Sequence, residues 1–124
     1  MSQAELRTQI EEQVLPLGPL ALARFLDSGV KNTPHQVMIS SALSDMQPRD
    51  YNRVAISLPP RTGKSMLSAQ WGVFWWLLRN PTHRIIMVAY SDDLAVMHGK
   101  AVRNMVDTYG HIFGIKCQIG RAHV

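Results

Sequence analysis

The stretch VAISLPPRTGKSMLSAQWGVFWWLL, residues 54 to 78, decides how the rest of the chain is read. It opens on a short apolar run, passes two prolines and closes on a long aromatic-rich segment. In its middle stand Thr62, Gly63, Lys64 and Ser65, the second half of a phosphate loop, with Leu58 where such a loop normally starts with glycine. A phosphate loop needs backbone N–H groups converging on a phosphate, a lysine reaching its oxygens and a hydroxyl on Mg²⁺, all at the start of a helix. Pro59 and Pro60 have no N–H, so the donors must come from Arg61, Thr62, Gly63, Lys64 and Ser65, which suffice for one phosphate. Gly-Lys-Ser alone recurs by chance; an apolar strand before it and a helix after it are the context that selects the nucleotide reading.

Both flanks have that form. Residues 53 to 58 are apolar and partly β-branched, as in a strand buried on both faces of a parallel sheet, and the prolines end it. Residues 63 to 79 are apolar on most sides, predicting a helix covered on more than one face and stopped by Asn80 and Pro81. Trp71, Trp75 and Trp76 on it read as core rather than as a platform for stacked bases. Residues 84 to 90, RIIMVAY, predict a second buried strand, and Ser91 with Asp92 and Asp93 opens another helix. Along that helix Leu94, Met97, His98, Ala101, Met105 and Val106 share one side, opposite Asp93, Lys100, Arg103 and Asn104. Strand, loop, helix, strand and helix form a right-handed βαβ unit with ligands beyond the carboxyl ends of the strands. The expected fold class is therefore α/β: part of a RecA-like P-loop NTPase, a parallel sheet flanked by helices.

Helices are expected ahead of it. Ser2 with Glu5 is a capping-box pattern, and Leu6, Ile10 and Val14 lie on one face of a helix over residues 3 to 14, ended by Pro16 and Gly18. A short helix follows over residues 19 to 27, broken by Gly29. Thr33 and Pro34 start a third, half-buried through Val37, Ile39, Ser40, Leu43 and Met46. The division expected is a peripheral helical arm over residues 1 to 33, a partial ATPase domain over 34 to 118, and a tail over 119 to 124. The tail, IGRAHV, is what a widely used sequencing adapter encodes, so it is read as non-native and set aside.

Composition agrees with a globular piece. The 124 residues are 46% hydrophobic, with 13 Lys and Arg against 9 Asp and Glu; the net charge of +4 is spread without a dense basic run and permits nucleic acid without demanding it. The single cysteine, Cys117, cannot form an internal disulfide, and the polar start is no signal peptide, which favours a cytoplasm. The longest apolar run, residues 71 to 78, falls short of the roughly 20 that span a bilayer, so no membrane is expected.

The sequence around the loop, with TPHQVMISSAL before it and HRIIMVAYSDDLAVMHGKAVRNMV and YGHIFGIK after it, resembles the N-terminal ATPase domain of the terminase large subunit of tailed bacteriophages. The resemblance covers residues 19 to 118, and in that family a P-P-R-x-G-K-S loop without its first glycine is common. It implies an ATP-binding portion of a motor that drives double-stranded DNA into a procapsid, with ATP and Mg²⁺ as cofactors. In the intact family it also implies a portal protein and a small terminase subunit as partners, a homo-oligomeric ring and a separate nuclease domain. Lys64 matches the phosphate lysine and Ser65 the Mg²⁺ hydroxyl. Arg61 matches an arginine that senses the γ-phosphate, the alternative being a solvated loop residue. His35 and Gln36 lie where adenine contacts are found, or are an ordinary helix start. Tyr90 and Ser91 either contact DNA or relay the nucleotide state, or else serve as rim aromatic and helix cap.

A hydrolysing site also needs an apolar strand ending in Asp and a neighbouring Glu. Asp92 and Asp93 are better placed to cap the next helix, and the family keeps its pair on a later strand, so the chain reads as a fragment not competent for hydrolysis. His83, His98 and His111 lack metal-ligand spacing. The competing readings are another P-loop ATPase, such as a helicase or replication ATPase, and a non-catalytic interaction module in which Gly-Lys-Ser is incidental.

Overall fold

The computed structural model describes residues 2–27, 29–30, 32–46, 55, 66–89 and 91–114. The elements among these described residues are all helical. The first, α1 (Gln3–Gln9), continues through a wide π-helical turn at Ile10–Val14 and a tight 3₁₀ turn at Leu15–Leu17; α2 is Pro19–Leu26 and α3 Pro34–Ser44. A second wide turn, Met66–Trp71, leads into α4 (Gly72–Arg79), and α5 runs from Asp92 to Phe113.

Local chemistry sets the helix ends. Ser2, Thr33 and Ser91 each offer a hydroxyl oxygen to a backbone N–H three residues on, at 3.2, 3.3 and 3.2 Å, satisfying a donor that the first turn leaves orphaned. Asn80 ends α4 with its N–H on the Trp76 carbonyl, and Gly114 ends α5 in the left-handed conformation at φ 68°. The start of α2 is different. Its N-cap, Gly18, has no side chain to offer and sits at φ 110°, ψ 178°, a region open essentially to glycine. The missing cap comes from another helix: the Ser40 hydroxyl on α3 accepts the Leu20 N–H at 3.1 Å.

The core gathers the N-terminal segment and the tryptophan-rich helix. Ile10, Leu22, Leu67, Phe74 and Trp75 are all but sealed from solvent, joined by Val14, Leu15, Ile39, Trp71, Val106 and Phe113. At about 1.5–3 kcal/mol for each large apolar side chain buried, this cluster is the main stabilising term. Trp71, Phe74 and Tyr109 meet with ring centroids 6.2–6.3 Å apart and tie α4 to α5. The Trp75 Nε1–H donates to the Leu15 carbonyl at 2.8 Å, and Arg79 lies 4.9 Å over the Trp75 ring. Residues 10 to 23 thus supply a large share of the core among the described residues.

The expected α/β fold is corrected here. No strand occurs among the described residues, and residues 84–89, expected to be buried within a parallel sheet, form neither strand nor helix. Ile86 and Val88 are 87% and 89% exposed. A continuous apolar run reports a desire for cover and not its delivery; here the covering helices enclose the tryptophans instead. The first expected strand, residues 53 to 58, lies outside the described residues except for exposed Ala55. No helix among the described residues is long and apolar enough to cross a membrane.

Candidate functional site

Arg61, Thr62, Gly63, Lys64 and Ser65 lie outside the described residues, as do Tyr90 and Cys117. What is described is the segment that follows Ser65 in sequence. The first described residues after it, Met66–Trp71, are helical and held in the core through Leu67 and Trp71, 2% and 5% exposed. Gly72, one turn on, allows the helix to pack closely: a Cβ there would stand 3.0 Å from the Leu67 carbonyl oxygen and 3.1 Å from Leu43 Cδ1 of α3.

Gln36 occupies the first turn of α3. Its N–H is taken by the Thr33 hydroxyl, while its side-chain Oε1 is shut off from solvent and has no hydrogen-bond partner among the described residues. An acceptor in that condition costs about 1–3 kcal/mol, so it suits a donor brought by a ligand. The neighbouring His35 is exposed.

The other expectations divide. Ser91 is engaged as the cap of α5, its hydroxyl on the Leu94 N–H and its carbonyl on the Ala95 N–H at 3.2 Å. Asp92 and Asp93 stand exposed in the first turn of α5, favourable to the helix dipole and not at the end of a strand. His83 accepts the Trp76 indole N–H at its Nδ1 across 3.2 Å, and buried His98 pairs its Nδ1 with Gln70 Nε2 at 3.1 Å. No group of three His, Cys, Asp or Glu side chains that could hold a metal occurs among the described residues.

Sequence reasoning missed two features. The Gln70–His98 contact joins the helix following the loop to α5; both residues sit at helical spacing among apolar neighbours, which gave no sign of a polar bond. An open groove of about 620 Å³ runs between α2 and α3, with Leu17, Phe25 and Val37 on its walls and Arg24 and Asn32 among its polar groups. Neither His35 nor Gln36, the described residues among those expected to bind nucleotide, lines it.

No protein-family model, no curated protein and no solved structure matches the chain.

Proposed function

We propose that this chain is the ATP-binding portion of a viral DNA-packaging motor of the terminase large-subunit kind. The observation that supports the reading is the sequence Gly63-Lys64-Ser65 standing immediately ahead of a described helical segment, Met66–Trp71, that is anchored in the core through Leu67 and Trp71. Lys64 is assigned to the phosphate oxygens, Ser65 to Mg²⁺, Arg61 to the γ-phosphate and the N–H groups of residues 61 to 65 to the phosphate cradle. The buried, unpartnered Oε1 of Gln36 supports an adenine contact, since an amide oxygen accepts from an exocyclic amine. Bound Mg²⁺ would offset the charge of the phosphates; the chain's part is to bind and orient the nucleotide. Double-stranded DNA, the portal protein, the small subunit and a ring of like chains belong to the proposal for the intact motor.

A non-catalytic helical interaction module is the second reading, favoured by the absence of any strand among the described residues. Calorimetry with Mg·ATP separates the two. The motor reading expects binding that Lys64→Ala abolishes. Equal affinity in both forms removes the site, and an absence of binding in the unaltered chain leaves the module.

A further inference from the structure

We draw no further inference here: the strongest candidate, the open groove between α2 and α3 walled by Leu17, Phe25 and Val37, carries nothing because nothing in the structure shows what covers it.

Discussion

The indole of Trp75 donates its N–H to the carbonyl of Leu15 across 2.8 Å, although 60 residues separate them in sequence. Both residues are buried, Trp75 to 1% exposure. The bond fixes the ring of α4 against the tight turn that closes the N-terminal segment, and neither group has water to fall back on.

Trp75→Phe keeps an aromatic ring but removes the donor, leaving the Leu15 carbonyl short of a partner. The expected loss is about 1–3 kcal/mol, read as a lower urea midpoint at constant slope. Trp75→Ala should cost about 3–5 kcal/mol and leave little folded protein. An unchanged midpoint for Trp75→Phe would mean that the bond contributes nothing.

The cap lent by α3 to α2 gives a paired prediction. Ser40→Ala removes the acceptor for the Leu20 N–H and should cost about 1 kcal/mol. Gly18→Ala should cost more, because φ 110° is strained for alanine and its Cβ would stand 2.7 Å from the Ser40 hydroxyl. In the double variant the clash is gone while the φ strain stays, so thermal melts should show less than the sum of the single losses. Strict additivity would refute the coupling.

Ser91 separates a cap from a ligand contact. Ser91→Ala should destabilise by about 0.5–2 kcal/mol, and Ser91→Asp, which can still accept from the Leu94 N–H, should recover most of it. DNA binding that falls with Ser91→Ala at unchanged stability would restore the contact role.

Asp92 and Asp93 serve the dipole of α5, so the chain should turn over no ATP, and Asp92→Asn should cost at most about 1 kcal/mol in a melt. Phosphate release that disappears in Asp92→Asn would move this pair into the Mg²⁺ site instead.

How much of this was legible in the sequence follows from the range of each signal. Ser2, Thr33, Ser91, Asn80 and Gly18 mark helix ends by chemistry with residues one to four positions away, and the structure places helix boundaries at each of them. Trp71 and Trp75 read as core because helical spacing repeats over a long apolar stretch, and both are buried. Residues 84 to 89 failed the same treatment. Their apolar character is local, but whether anything covers Ile86 and Val88 depends on elements remote in the chain, which periodicity does not encode. The Ser40 cap was hidden for the same reason: Gly18 shows that α2 begins there, but not that a hydroxyl from another helix completes it. For the phosphate loop, only the helix that follows it bears on the sequence reading.

The pairing of Ile10, Leu15 and Leu22 with Phe74 and Trp75 also orders events during synthesis. A ribosome adding about 5–20 residues per second releases the N-terminal helices several seconds before the tryptophans they enclose. Through that interval their apolar faces have no native partner, which makes the nascent chain, more than the finished one, the form in need of a chaperone.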